Sequence, residues 1–233
     1  MARTRGGEGS GLSRYETILG FVYLPSYFFL LPLLLQTLFS ALGAPLSDLT
    51  LNLAYYCVNF VVILLIFHRF FIASARRIQL WPFVQAVILG LVFYYALAWA
   101  LGLVISALSP ELQNPNNLAV DALASAGGWR MTVCVVLLGP VVEEALLRGL
   151  IFGTLRRHSR VLGYLVSIVV FAVMHLWQFA LQTPPLTLLL SALQYVPGGV
   201  ALAWTYDKSG SIWGSVLVHS LVNAAALGIL RLI

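Results

Sequence analysis

The chain is 233 residues long, 61% hydrophobic and 9% charged, with a mean hydropathy of +0.94 and a formal net charge of +5. A soluble domain is about 45–50% apolar and about 25% charged, so a soluble globular domain, a disordered chain, a coiled coil and a nucleic-acid-binding module are excluded. Lipid is the solvent that fits this sequence, and Cys57 and Cys134, both inside apolar runs, have neither disulfide-scaffold nor zinc-ribbon spacing.

A helix needs about 20 apolar residues to cross a hydrocarbon core about 30 Å thick. Seven runs bounded by charge, Pro or Gly meet that length, at 18–42, 49–67, 83–108, 131–155, 161–181, 186–204 and 212–230. Lipid offers backbone groups no partner, so each run is expected to be helical. The expected fold class is all-α: a polytopic transmembrane helical bundle of about seven membrane helices, with room for an eighth.

The first run follows Arg3, Arg5 and Arg14 and contains Pro25 and Pro32, which are expected to kink it. Small residues from Ala41 to Ala44 imitate a signal-peptide cleavage site. The run exceeds the roughly 7–15-residue apolar core of a signal peptide and six more follow, so it reads as an anchor. Aromatic clusters at Tyr23 to Phe29 and Phe93 to Trp99 read as packing or interface anchors, or as the lining of a lipid-accessible groove. The connection from Ser109 to Trp129 holds Pro110, Pro115, three Asn, Glu111 and Asp121, and reads as a non-cytoplasmic loop or a short surface helix that can act as a cover. The chain divides there into residues 1–128, the first helices and this loop, and residues 129–233, a catalytic helical core within one integral membrane unit.

A cytoplasmic N-terminus puts Arg3, Arg5, Arg14, Arg69, Arg76, Arg77, Arg156, Arg157, Arg160 and Lys208 on the cytoplasmic side and only Arg130 and Arg231 opposite. The positive-inside rule favours that orientation, with the C-terminus outside after seven crossings. No internal repeat with matched broken helices points to an inverted-repeat transporter. His68 and His158, beside Arg69 and Arg157 at cytoplasmic ends, read as interfacial. A multi-pass protein of a bacterial or archaeal plasma membrane is the expectation for so small a chain.

An ionisable residue at a span centre costs about 2.5–3.5 kcal/mol on insertion scales, so each needs a reason. The fourth run carries Glu143, Glu144 and Arg148 in GPVVEEALLRG, the fifth His175 in FAVMH, and the seventh His219 and Asn223 in HSLVN. Positions four apart share a helix face, whereas adjacent positions diverge by about 100°. Glu144 is therefore placed to pair with Arg148, and Glu143, pointing elsewhere, is the candidate general base. His219 and Asn223 share a face. A paired Glu144 and Arg148 are equally well read as helix–helix glue, and a lone intramembrane His or Asn is more often a hydrogen bonder than a catalyst. Five or six together shift that balance.

A carboxylate, two imidazoles and an amide around a water-sized space fit hydrolysis of a carbonyl compound. Glu143 takes the proton of water, His175 shares or positions that water, and His219 and Asn223 donate to the oxyanion. No serine sits in a nucleophile elbow and Cys134 lies nine residues before Glu143, so covalent catalysis has weak support. Zinc bound through Glu143, His175 and His219 is the near alternative. HExxH is absent from the sequence, and a cofactor-free site is favoured.

The strings EEALLR, FAVMH and HSLVN, in that order, resemble the three motifs of the CPBP family, also called the CAAX protease and bacteriocin-processing or Abi family of intramembrane proteases. The resemblance covers roughly Trp129 to the C-terminus and extends to the Gly-Pro before the two Glu and the Gly after the Arg. It implies a helical membrane enzyme related to the type II CAAX prenyl endopeptidases, which remove the last three residues after a prenylated Cys. It assigns water activation to Glu143 and His175, the oxyanion site to His219 and Asn223, and supporting positions to Glu144 and Arg148. The family has been labelled metalloprotease as well as glutamate-dependent, which leaves the cofactor open.

The expected function is thus an intramembrane endopeptidase acting on a membrane-associated or lipid-modified peptide, such as a prenylated one. Its partners are membrane lipids and that substrate, with no nucleic acid and no oligomeric state readable. The competing classes are a non-enzymatic membrane immunity or partner protein that uses the polar cluster structurally, and a proton-coupled carrier.

Overall fold

A computed structural model describes residues 11–43 and 47–228, so Arg3, Arg5 and Arg231 lie outside the described residues, as does Ala44. Among the described residues the chain forms eight helices and no strand. They are α1 (Arg14–Ala41), α2 (Asp48–Arg76), α3 (Leu80–Leu108), α4 (Pro115–Gly127), α5 (residues 129–155), α6 (Arg160–Phe179), α7 (Pro185–Ser209) and α8 (Ile212–Ala226). Each of the seven apolar runs is a helix, and the connection from Ser109 to Trp129 supplies the eighth as α4. The chain is an all-α, polytopic integral membrane bundle.

Length and apolarity suffice for a membrane crossing in α1, α2, α3, α6 and α7, and α8 is apolar but shorter. Helix α5 owes its place to the protein around it. Residues Glu144 to Gly153 are all buried, and α1, α2, α6 and α8 pack on this helix. A helix stretch covered on every side is a core stretch, and residues 144–153 of α5 form the axis of the bundle.

Local sequence explains the breaks. Ser13 and Glu16 form a capping box that starts α1, and Pro25 and Pro32 flank a wide turn at Ser26–Leu30, where the kink was expected. Helix α2 runs nine residues past the apolar run to Arg76, because its last turns bury Phe70, Phe71 and Ser74 and leave Arg69 exposed; the chain bends at Phe67. Asn114 caps α4 by accepting from the N–H groups of Asn116 and Asn117, and Pro115 fits the first turn. Gly90 meets Thr205 so closely that a Cβ would collide with its hydroxyl, and this lets α3 and α7 approach.

At one end of the bundle Asp207 binds Arg156 and Arg160, and Ser74 meets Ser211 and the N–H of Ile212. Helix α4 lies at the other end, so the two ends are chemically different: one Arg-rich, the other rich in carboxamides.

Candidate active site

The fourth apolar run does not form a plain α-helix. Wide π-type turns at Cys134–Leu138 and Ala145–Phe152 flank the regular stretch Gly139–Glu144 that holds both carboxylates. Such turns add a residue to the helix and leave backbone groups unpaired. The Gly139 N–H reaches back to the Cys134 carbonyl, and Pro140 has no N–H, so the Val135 carbonyl loses its ladder partner. Asn223 of α8 donates to that carbonyl through Nδ2 at 2.9 Å. A carbonyl freed at a Gly-Pro step in a membrane helix is ordinarily open to water. The freed carbonyl instead docks α8 onto α5 and fixes the Asn223 amide, whose Nδ2 keeps a second hydrogen.

The two carboxylates diverge as helical geometry requires. Glu144 and Arg148 face the protein interior, wholly buried, with Nη1 to Oε1 at 3.0 Å. His219 Nδ1 meets the same Oε1 at 2.9 Å. Arg148 Nη2 donates to the carbonyls of Gly198 and Gly199 at 3.4 Å each, and the guanidinium lies 4.7 Å from the Phe171 ring centroid. One buried carboxylate thus links α5 to α8, and its Arg partner extends the link to α7.

Two glycines permit this contact. A Cβ on Gly199 would lie 3.1 Å from the Ile168 Cα, which is backbone and cannot rotate away. Gly199→Ala is therefore expected to push α7 off α6 and lower stability by about 1–3 kcal/mol, the usual range for overpacking. Denaturant titration in mixed micelles measures it, and an unchanged midpoint would show that the interface has slack.

Glu143 points the other way, into a cavity of about 590 Å³ whose walls include Glu143, His175, His219 and Asn223. Its Oε2 lies 3.8 Å from His175 Nε2 and 3.7 Å from His219 Nε2. Both distances exceed a direct hydrogen bond, and Oε2 is buried with no hydrogen-bond partner among the described residues. His219 consequently stands between the two glutamates, with Nδ1 on Glu144 and Nε2 towards Glu143. His175 is held from two sides: Nδ1 is 2.8 Å from the Phe171 carbonyl, and its ring stacks on Tyr195 with centroids 4.5 Å apart. A carbonyl can only accept, so Nδ1 carries the proton and a neutral imidazole offers Nε2 as an acceptor towards the cavity.

All four predicted catalytic positions therefore meet at one cavity, and the two supporting positions lie behind it. Sequence reasoning missed Tyr195. It sits at the Gln194–Tyr195 turn where α7 breaks, just before Pro197, Gly198 and Gly199. Its hydroxyl accepts from Asn116 Nδ2 at 3.0 Å, which ties the imidazole platform to α4. The breaker cluster PGG after a tyrosine was the available signal. Tyr27, Tyr55 and Tyr56 from α1 and α2 also line the cavity, in helices whose sequences carry no motif.

The zinc alternative through Glu143, His175 and His219 gains no support. Among the described residues no group of three or more His, Cys, Asp or Glu side chains is arranged to hold a metal ion.

Residues 125–225 match the family model of the Rce1-like type II CAAX prenyl endopeptidases. No curated protein and no solved structure matches the chain. The matched segment begins at the end of α4 and contains α5 to α8 almost whole, so it takes in the glutamate pair, both histidines and Asn223. Over residues 125–225, less than half of its length, the chain is similar to the Rce1-like type II CAAX prenyl endopeptidases.

Proposed function

We propose that this protein is an intramembrane endopeptidase that hydrolyses a peptide bond with water activated by Glu143 and His175, without a covalent intermediate. The observation that carries this reading is the unpartnered Glu143 Oε2, which faces two imidazole Nε2 atoms across gaps of 3.7 and 3.8 Å. Gaps of that size between polar atoms suit one bridging water. Glu143 takes a proton from that water as its oxygen attacks the carbonyl carbon, and His175 accepts the water's second hydrogen and holds its orientation. The free hydrogen of Asn223 Nδ2, with the Val135 carbonyl fixing the amide, donates to the oxyanion. Collapse breaks the C–N bond, the proton held by Glu143 passes to the leaving amine, and the resulting carboxylic acid gives its proton to that amine, so a carboxylate and an ammonium leave.

His219 has a second role in this scheme. Glu144, paired with Arg148, accepts from Nδ1 and fixes the tautomer, much as a buried carboxylate orients the histidine of a hydrolytic triad. Nε2 then faces Glu143 as an acceptor, and it becomes an oxyanion donor only when it carries a proton.

The substrate proposed is a membrane-associated peptide, lipid-modified or not, because the cavity wall mixes aromatic rings with neutral carboxamides. The purified protein in liposomes is expected to cleave a quenched fluorescent peptide carrying an acyl anchor. In H2(18)O, one heavy oxygen is expected in the new carboxyl group. A trapped acyl-enzyme, or a burst of amine product ahead of the carboxylic acid product, would replace direct water attack with a covalent route.

A further inference from the structure

The cavity and the cations occupy opposite ends of the bundle. Among the described residues Arg14, Arg69, Arg76, Arg77, Arg156, Arg157, Arg160 and Lys208 lie at or near the end where α2 meets α3, α5 meets α6 and α7 meets α8. Only Arg130 lies at the other end, beside α4. The connections at the Arg-rich end are all short, the condition under which Arg and Lys counts orient a membrane protein with the cations towards the cytoplasm.

The cavity descends from the opposite end. Its rim residues include Gln36 at the end of α1, Asn52 at the start of α2, Asn116 and Asp121 on α4, and Gln178 at the end of α6. Its floor is Glu143, fourteen residues from Trp129, or about 20 Å of helix below that end. No Lys or Arg among the described residues lines it, and the Arg-rich end contributes nothing to its wall. Beneath Glu143, towards the cations, Leu146, Leu147, Leu150 and Phe152 are wholly buried and close α5 off from the cytoplasmic end.

We infer that the site is loaded from the non-cytoplasmic face, so its substrate is a peptide tethered to, or exported across, the outer side of the membrane. The substrate's access side is new here; that the bound peptide is hydrolysed rests on the function proposed above. Helix α4, tied to Tyr195 by Asn116, then sits as an external rim over the entrance.

Sidedness can be read without any substrate. Asp121→Cys on the rim and Lys208→Cys at the Arg-rich end both replace exposed residues outside the proposed machinery. Each full-length variant is exposed to a membrane-impermeant maleimide in right-side-out and in inverted vesicles, and labelling of the unsubstituted chain, which carries Cys57 and Cys134, is subtracted. The expected result is Asp121→Cys labelled in right-side-out vesicles and lost in inverted ones, with Lys208→Cys showing the reverse. The opposite pattern, or both positions labelled from one side, overturns the inference. An impermeant quenched peptide added to the same two preparations is expected to be cleaved in the right-side-out vesicles alone. If labelling follows expectation but neither preparation cleaves, the hydrolase reading fails and the access side stands.

Discussion

Glu143→Gln is expected to lower kcat by about 10²–10⁴, the range that a positioned general base contributes, while the protein still folds. The two consequences separate because Glu143 has few structural duties. Its Oε2 has no hydrogen-bond partner among the described residues, and the side chain borders the cavity rather than the packed core. Glutamine has the same shape, adds no charge and leaves no buried partner stranded, so the change in stability is expected within about 0.5 kcal/mol. At the upper end, a 10⁴-fold loss corresponds to about 5 kcal/mol of barrier, far above that change. Initial rates on the anchored peptide, together with an unfolding curve of the same preparation, provide the measurement. Full activity in this variant would remove Glu143 as the base, and a large drop in stability would make the loss of rate uninterpretable as chemistry.

Much of this site was legible because lipid makes polar residues conspicuous. Once water is removed from the surroundings, Glu143, Glu144, Arg148, His175, His219 and Asn223 stand out against apolar neighbours, and helical periodicity separates the two glutamates. The Glu144–Arg148 pair at 3.0 Å follows from spacing alone. The docking of Asn223 does not. It depends on the Val135 carbonyl, which is free only because a π-type turn and Pro140 remove its ladder partner, and no regular i to i+4 template contains that event. The link from His219 to Glu144 was hidden for a different reason. Both residues were visible, but the choice of which imidazole nitrogen faces which carboxylate is made by how α8 rotates against α5. Tyr195 was hidden by composition, since one tyrosine among ten is unremarkable until α6 and α7 are packed.

Arg148→Met is expected to be the most destabilising single change outside the cavity, by about 3–5 kcal/mol, because it breaks a buried ion pair from one side. The guanidinium is wholly buried, serves Glu144 and two carbonyls of α7, and lies over Phe171, so its removal strands groups on three helices at once. Methionine fills much of the space, which limits the cavity term and leaves the unpaired charge of Glu144 as the dominant one. His219 remains beside Glu144, but it is also the residue the site uses, and recruiting it as a permanent counter-charge would alter catalysis as well as stability. The double variant Glu144→Gln with Arg148→Met is therefore expected to regain a large part of the lost stability, since the stranded charge is gone and the new amide oxygen can still accept from His219 Nδ1. Denaturant titrations of both variants in mixed micelles decide the matter. If Arg148→Met is as stable as the parent, the pair is not a structural link between α5 and α7; if the double variant is no better than the single one, the stranded charge is not what the arginine neutralises.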